Sequence, residues 1–504
     1  MPSNAISNGK LFARTSGGEP RDTIYKPMIV MKFGGTSVED AAAIRRVIEI
    51  VRRDLSRAPL VVVSACSGVT NDLVHAAQAV RDGDETRALS ILTAVRDRHR
   101  KLIDELLEKK DGLLNVVDKL FDDLRNLIHG VYLLGELTNR SLDAITGCGE
   151  LLSSLIIHAA TEASGVPAAI VDARRVMATD RSFGTAVPEV GKVGASAREL
   201  FLPPLKRGMA VVTQGFIGAA EDGTPTTIGR GGSDLSASIF GSALDAEEIQ
   251  IWTDVDGMMT ADPRIIREAR PIDVLSFDEA SELAYFGAKV LHPRTILPAV
   301  RKNIPVRVLN SRRPEFTGTL IVEHKSGPES RLPRKRDERD SAGHGRDDPA
   351  QRDDGVIKSI ACKRGIVVIN VGSSRMLMAH GFLARLFSIF ANYEKSVDVV
   401  ATSEVSVSLT VDSEDRLPEI IRDLEKIGDT RSARNKAIIC VVGEGMKHTP
   451  GIAARIFGAL AGARVNIEMV SEGASEINLT LVVDEKDVER AVRVLHEEFF
   501  TGKD

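Results

Sequence analysis

Three glycines fall within eight residues at Thr227-Ile228-Gly229-Arg230-Gly231-Gly232-Ser233-Asp234, and the runs on either side limit what they can be. Val211-Val212-Thr213-Gln214-Gly215-Phe216-Ile217-Gly218 before them is apolar and strand-like, closed by glycine. Leu235-Ser236-Ala237-Ser238-Ile239-Phe240-Gly241 after them reads as a helix with small residues on one side. The glycines therefore form a tight loop that opens a helix. Glycine lets backbone approach a ligand closely, and the free N–H groups of a helix start attract anions. Ser233 or Asp234 is expected to cap the helix. Arg230 sets a forked cation beside the loop, suited to a carboxylate or phosphate. Taken alone, Gly-x-Gly-Gly is a turn with an N-cap. It matches neither the Walker loop nor the dinucleotide fingerprint, so the remaining chain has to decide.

The chain supplies the same punctuation elsewhere. Residues 1–26 are polar and Gly/Ser-rich and are expected to be disordered. Met28-Ile29-Val30-Met31-Lys32-Phe33 reads as a buried strand that runs into Gly34-Gly35-Thr36-Ser37. A helix follows from about Asp40 to Leu55, with Ile44, Val47, Ile48 and Val51 on one stripe. Leu60-Val61-Val62-Val63 is a second strand, ending in Ser64-Ala65-Cys66-Ser67-Gly68-Val69-Thr70. Strand, Gly/Ser loop and helix in repetition predict an α/β fold, a parallel sheet covered by helices on both faces. Ligands of such sheets collect at the carboxyl ends of the strands, where these loops lie. Residues 85–145 carry leucines at helical spacing and read as a structural or oligomeric insertion. Further strands are expected at Ala168–Ala173, 210–217 and Glu248–Gly257, and a helix at about Phe277–Phe286.

From Lys325 to Gly355 the chain holds eight Lys/Arg and eight Asp/Glu, with Leu332 as its one large apolar residue. Such a stretch cannot build a core and reads as a solvated linker. Beyond it lies a repeat. Gly381-Phe382-Leu383-Ala384-Arg385-Leu386-Phe387 aligns with Gly451-Ile452-Ala453-Ala454-Arg455-Ile456-Phe457, and the register holds to Leu409-Thr410 against Leu479-Thr480. Each copy reads strand, helix, strand, strand, helix, a small ferredoxin-like α+β unit. The boundaries follow: a disordered segment at 1–26, a catalytic-type domain at 27–324, a linker at 325–355 and a paired binding module at 356–504.

Composition narrows the partners. A net charge of −5 and a pI near 6.1 give no pull toward nucleic acid or anionic membrane. No apolar run approaches the ~18 residues of a membrane span. Cys66, Cys148, Cys362 and Cys440 are far apart, which suggests free thiols in a reducing, cytoplasmic setting. No Cys/His cluster has zinc spacing, and no side-chain metal site is expected.

The motifs now quoted resemble those of aspartate kinases, members of the amino acid kinase fold followed by two ACT domains. The resemblance rests on Lys32–Ser37, Thr213-Gln214-Gly215-Phe216, Gly229–Asp234, Trp252-Thr253-Asp254-Val255 and Phe286-Gly287-Ala288-Lys289-Val290-Leu291-His292-Pro293, in that order. It covers Met28 to Phe500, and the chain stops after the second ACT unit, so no fused homoserine dehydrogenase is expected. The resemblance implies phosphorylation of the L-aspartate β-carboxylate by ATP with Mg2+. A carboxylate is already ionised at pH 7 and needs no general base. The protein must hold two anions together and offset charge on the transferred phosphoryl group.

The resemblance also implies roles. Lys32 stabilises the transition state and contacts the phosphates, and Asp234 orients it. Gly34, Gly35, Thr36, Gly231 and Gly232 cradle phosphates, while Thr253, Asp254, Arg264 and Lys289 serve the nucleotide. Arg230 takes the α-carboxylate of aspartate and Glu150 its ammonium, with Ser64, Thr70 and Ser233 nearby. Met259 stands where a close relative has a nucleotide-side Tyr. His158, Trp252 and His292 are read as structural. In the first ACT unit Met376, Phe382, Leu383, Ser396, Val397, Asp398, Ser403 and Glu404 are expected to bind an amino-acid effector, lysine before threonine. Asp398 and Glu404 would meet its charged amine. The second unit keeps Glu468 and Gly473 but lacks the Thr-Ser-Glu run. A homodimer or homotetramer through the ACT units is expected. Other readings are a different amino acid kinase, such as one for glutamate or acetylglutamate, or a catalytically weak amino-acid sensor. Arg230 with Glu150 and the paired repeat weigh against the first, and intact Lys32, Asp234 and Lys289 against the second.

Overall fold

The computed structural model describes residues 28–286, 291, 293–323, 356–372, 380–446, 449–472 and 477–501. The segment expected at 1–26 and the linker expected at 325–355 lie outside these residues, as do Lys289, His292, Met376 and Gly473. In chain order the first part comprises β1 (Ile29–Phe33), α1 (Ala41–Arg53), β2 (Leu60–Val63), α2 (Val69–Arg81), α3 (Glu85–Leu106), α4 (Asp111–Leu134), α5 (Asn139–Thr146) and α6 (Cys148–Ala163). It continues with β3 (Ala168–Ile170), α7 (Val190–Lys206), β4 (Ala210–Gln214), β5 (Ile217–Ala219), β6 (Pro225–Thr227), α8 (Gly232–Leu244) and β7 (Glu248–Thr253). It closes with β8 (Val274–Ser276), α9 (Phe277–Phe286), α10 (Pro293–Val300), β9 (Val306–Asn310) and β10 (Thr319–Val322).

Eight of these strands form one sheet in the order β3-β4-β2-β1-β7-β9-β10-β8, parallel throughout except where β10 meets β9. The continuous apolar runs seen in β1 and β2 are what a sheet buried on both faces requires, and none of the side chains of Ile29, Val30, Met31 and Phe33 is exposed. Each such fully buried side chain contributes roughly 1.5–3 kcal/mol. Phe33 is in register with Val63 on one side and Trp252 on the other, and Val63 pairs with Gln214. The carboxyl ends of β1, β2, β4 and β7 therefore come out together. α1 begins at an Asp40 cap, whose carboxylate accepts the Ala43 N–H at 2.7 Å.

Two local expectations are corrected. The strand-like run 211–218 breaks after Gln214, at Gly215, which packs so closely on α8 that a Cβ there would stand 2.6 Å from the Ser233 Cβ. The chain turns at Phe216 (φ +64°) into the two-stranded ribbon β5–β6, which delivers the glycine loop to α8. Nor do Ser233 and Asp234 cap α8. Gly231 (φ +73°) is the N-cap and makes no side-chain bond, which puts Ser233 and Asp234 inside the first turn.

The insertion is three helices, α3 to α5, packed on α2 and α6 in a core that includes Leu92, Leu102, Ile103, Val117, Phe121 and Ile128. The helical stretch Asn139–Ala163 is long and apolar enough to cross a membrane by length and composition, but 72% of its apolar window is buried inside the fold. It comprises α5 and α6, and α6 is a core helix packed between β2, β3 and β4 on one side and α3 and α4 on the other.

The second part comprises β11 (Ser359–Gly372), α11 (Phe382–Asn392), β12 (Val400–Thr402), β13 (Ser406–Val411), α12 (Leu417–Glu425), β14 (Asp429–Val442), α13 (Ile452–Gly462), β15 (Ile467–Glu472), β16 (Asn478–Asp484) and α14 (Val488–Phe500). The repeated glycines are the left-handed N-caps of equivalent helices, Gly381 (φ +80°) for α11 and Gly451 (φ +93°) for α13. The two units are not simply consecutive. β11 and β14 each run 14 residues and pair antiparallel along their length, so each strand serves both units within one sheet, ordered β12-β13-β11-β14-β16-β15. This module docks on the first part. Ser359 Oγ donates to the Met259 carbonyl at 2.8 Å, Glu444 N–H to Glu279 Oε1 at 2.9 Å and Tyr285 Oη to Asp398 Oδ1 at 2.8 Å.

Candidate active site

A cleft of about 320 Å³ opens at the carboxyl ends of β1 and β2, lined by Lys32, Gly35, Ser64, Thr70, Glu150 and the Gly229–Asp234 loop. Lys32 lies on β1 one residue before its end, and Asp234 in the first turn of α8. Their Nζ and Oδ1 atoms are 2.6 Å apart and both side chains are nearly buried. The carboxylate that failed to cap α8 is thus spent on the lysine, whose position the pair fixes.

The phosphate cradle is narrower than the motif suggests. The Gly34 N–H donates to the Trp252 carbonyl at 3.1 Å, and that of Gly232 to the Gly229 carbonyl at 3.0 Å, so neither is free for an anion. Gly35 and Thr36, the first residues of a 3₁₀ turn, keep the N–H groups that such a turn leaves unpaired, as do Ser233 and Asp234 at the start of α8. Gly35 and Gly232 are also needed for space. A Cβ on Gly35 would come within 3.0 Å of the Ala65 carbonyl, and one on Gly232 within 2.7 Å of the Phe216 ring.

Glu150 stands in the first turn of α6, buried to 3% exposure. Its Oε1 accepts the Ala65 N–H at 3.1 Å, while Oε2 is buried with no partner. Burial pushes this carboxyl up to about 8, against the pull of the Ala65 bond. A buried acid with one bare oxygen is a ready receptor for a ligand cation. Arg230 faces the same cleft, exposed, and makes no ion pair among the described residues. One cleft thus offers a place for an ammonium, a free guanidinium for a carboxylate, and a lysine with unpaired N–H groups for phosphate. Cys66 also lines it, but burial pushes the thiol up to about 12 and leaves it inert.

The other expected nucleotide residues are scattered. Thr253 is the last residue of β7, beside β1, and Asp254 follows it, with Thr253 Oγ1 3.2 Å from Asp254 Oδ1. Arg264 does not line the cleft. It is 79% exposed and forks onto Asp262 at 2.6 Å. Trp252 is buried and stacks on Phe33, as its structural reading requires. Of the effector set, Phe382 is a core residue, Leu383 is 42% exposed, and Ser396, Ser403 and Glu404 are at the surface. Asp398 faces inward to Tyr285 and Lys363. Glu468 pairs with Lys436.

Two residues that the motifs did not flag hold the cleft together. Asp143 of α5, 2% exposed, accepts from Gly184 N and Thr227 N, both at 2.9 Å, and from Thr227 Oγ1 at 2.6 Å. It ties the strand that leads to Arg230 to the helix that leads to Glu150. Arg98 of α3 donates to the carbonyls of Ser67 at 2.7 Å and Glu39 at 3.0 Å, pinning the loop after β2. Each sits in a stretch read as plain helix. The only sequence signal was a charged residue on a face otherwise turned inward.

The fold and cleft define a kinase of small carboxylic acids, and comparison with known proteins agrees. The amino acid kinase family profile matches residues 27–310 and an ACT domain profile matches residues 439–499. Aspartokinase 1, chloroplastic, of Arabidopsis thaliana is 36% identical over 94% of this chain and 80% of its own length. Lysine-sensitive aspartokinase 3 of Escherichia coli is 35% identical over 94% of this chain and 99% of its own. The crystal structure of E. coli aspartokinase III with aspartate and ADP superposes with a TM-score of 0.77 at 34% identity, covering 94% of this chain and all of that one. The chain belongs to the amino acid kinase family and, within it, to the ACT-bearing aspartokinases. It transfers phosphate from a nucleotide to aspartate, under regulation by its ACT domains.

Proposed function

We propose that the cleft binds L-aspartate with its ammonium on Glu150 and its α-carboxylate on Arg230, which turns the β-carboxylate toward the phosphates near Lys32. The observation that carries this reading is the bare, buried Oε2 of Glu150 in a cleft that also holds an uncommitted Arg230. Ser64, Thr70 and Ser233 bound the substrate. ATP lies across the ends of β1 and β7, its transferring phosphate on Lys32 and the N–H groups of Gly35, Thr36 and Ser233. Lys32, held by Asp234, offsets the charge that spreads onto the phosphoryl oxygens as the β-carboxylate attacks in line. Mg2+ fits this site as a passenger of the nucleotide. Among the described residues no three His, Cys, Asp or Glu side chains gather to hold an ion, and a phosphate-borne Mg2+ needs only one or two carboxylates. Asp234, which lines the cleft, and Asp254, just past the end of β7, would be its carboxylates, and the ion would supply further charge neutralisation.

Lysine is the proposed effector, on the first ACT unit, with Asp398 and Glu404 at its charged groups. The E. coli relative is lysine-sensitive by name, which supports lysine over threonine. Leu383 and Phe387, 42% and 39% exposed on the outer side of α11, support assembly into dimers or tetramers through the ACT units. Four free cysteines support a reducing, cytoplasmic compartment. A coupled assay with aspartate and MgATP, with and without lysine or threonine, tests the reading. Turnover of aspartate that Lys32→Ala lowers by roughly 10²–10³ and that lysine selectively inhibits is the expected result, and turnover with glutamate in preference to aspartate would overturn the substrate assignment.

A further inference from the structure

Ser37 closes the first glycine motif, and its side chain points away from the ligands. It is 1% exposed and does not line the cleft. Its hydroxyl stands 2.8 Å from that of Ser311, which follows the end of β9 and is 2% exposed. Ser311 Oγ lies 3.1 Å from the Thr253 carbonyl, and Ser37 Oγ 3.4 Å from the Trp252 carbonyl. Trp252 and Thr253 are the last two residues of β7. The pair therefore links the loop after β1 to the end of β7 through the end of β9.

Each hydroxyl has one proton to give. If Ser37 gives its proton to Ser311, Ser311 gives its own to the Thr253 carbonyl. If Ser311 gives to Ser37, Ser37 gives to the Trp252 carbonyl. Both arrangements satisfy both oxygens and end on β7, so the link holds in either. What it fastens is the 3₁₀ turn Gly35–Val38. The turn is tied to β7 at its start, where the Gly34 N–H meets the Trp252 carbonyl at 3.1 Å, and again at Ser37. Gly35 and Thr36 lie between the two ties. On the other flank the Gly35 carbonyl accepts the Ser67 N–H at 3.1 Å, which helps keep the turn folded when the serine pair is broken.

We propose that Ser37 and Ser311 are positioning residues for phosphoryl transfer, whose paired hydroxyls hold the N–H groups of Gly35 and Thr36 in register with the end of β7. Neither serine touches substrate or nucleotide. With the pair broken, the turn is tied to β7 at one end and tilts. Its N–H groups then lose alignment with the phosphate, and both hydrogen bonding and transfer are sensitive to small misplacements. This inference rests on the placement of the transferring phosphate on the Gly35 and Thr36 N–H groups.

The test is calorimetric titration of the full-length enzyme, with Mg2+ present, using ADP and adenylyl imidodiphosphate, which differ in the terminal phosphate. Ser37→Ala and Ser311→Ala should each weaken the imidodiphosphate about tenfold and ADP less than about twofold. kcat/KM for ATP should fall by a similar factor, with little change in the KM for aspartate. Because the two serines act through one bond, the double variant should lose about as much as either single one. Ser37→Cys, close in size but weaker in hydrogen bonding, should fall between wild type and Ser37→Ala. Losses that multiply in the double variant overturn the inference, as do losses equal for ADP, the imidodiphosphate and aspartate. Gly35→Ala crowds the Ala65 carbonyl and disturbs the cradle directly, so it separates this inference from the placement of ATP. If Gly35→Ala weakens the imidodiphosphate and the serine variants do not, the inference fails and the placement stands. If Gly35→Ala leaves it unchanged, the placement fails and the inference with it. Circular dichroism shows that each variant is folded, and should an alanine variant fail to fold, Ser37→Cys carries the comparison.

Discussion

Lys32 Nζ and Asp234 Oδ1 stand 2.6 Å apart, one on the central strand β1 and the other in the first turn of α8. The pair joins the two glycine loops that were found separately in the chain, and it sets where positive charge waits for the phosphoryl group. Lys32→Ala is expected to lower kcat by roughly 10²–10³ with a smaller change in either KM, as for loss of one transition-state donor. Asp234→Asn keeps the shape but loosens the lysine, so it should fall between wild type and Lys32→Ala. Steady-state kinetics decide. Near-normal kcat in Lys32→Ala would remove the role proposed for it.

Glu150 gives a pH dependence with a definite sign. Its carboxyl is raised to about 8 by burial, yet it must be ionised to receive the substrate ammonium. At pH 7 the free enzyme therefore holds mostly the protonated form. kcat/KM for aspartate should rise about tenfold from pH 7 to the plateau above pH 8, with little change in the KM for ATP. Glu150→Gln should flatten that rise and weaken aspartate far more than ATP. Stability moves the opposite way. The folded state keeps a proton that the unfolded chain loses near the ordinary value of 4.5. The free enzyme should thus become less stable as pH climbs from 4.5 to 8, and saturating aspartate should offset the loss. Thermal melts across that window, with and without aspartate, measure it.

Asp143 predicts a positioning effect. Removing its three accepted bonds leaves the half-buried Gly184 N–H and the buried Thr227 N–H unpaired, the latter at about 1–3 kcal/mol. Asp143→Ala should raise the KM for aspartate at least tenfold. The KM for ATP should change less, because the bonds steady Arg230 against Glu150 rather than the cradle. Asp143→Asn can keep two acceptor bonds and donate to the Thr227 hydroxyl, so it should recover most of the loss. A general folding defect would move both KM values and the melting temperature in both variants alike.

Effector control should be legible at Asp398. This carboxylate is held by Tyr285 of the kinase part, so a lysine ammonium that used it would compete with the interdomain bond. Tyr285→Phe should then shift inhibition to lower lysine concentrations, and Glu404→Ala to higher ones. A coupling of ~1–3 kcal/mol allows shifts of roughly 5–150-fold. Inhibition curves for both variants check the two directions. A wild type that ignores lysine and responds to threonine would change the effector and leave the sensor role in place.

Most of the elements were readable from local pattern. The buried run Ile29–Phe33, the stripe on α1 and the repeated Gly381 and Gly451 each carry their own signal, in periodicity or in the need for a left-handed N-cap. Less readable were the break at Gly215 and the roles of Gly34 and Gly232. In a motif every glycine looks like a donor to phosphate. Whether its N–H is free depends on a carbonyl elsewhere, that of Trp252 in one case and that of Gly229 in the other.

Hydrophobic period and glycine spacing are properties of neighbouring residues, so the chain alone settles its parallel sheet, its loops and its paired repeat. The pairings that make a site are long-range. Glu150 is raised because α6 packs it beneath the loop after β2, and Asp143 matters because α5 reaches the strand before the glycine loop. Asp398 turns inward because the ACT sheet docks on α9, and β11 and β14 are shared because each is long enough to cross both units. No local window encodes burial or partner. These arise only when distant segments exclude water together, and the chemistry of the cleft follows from that exclusion.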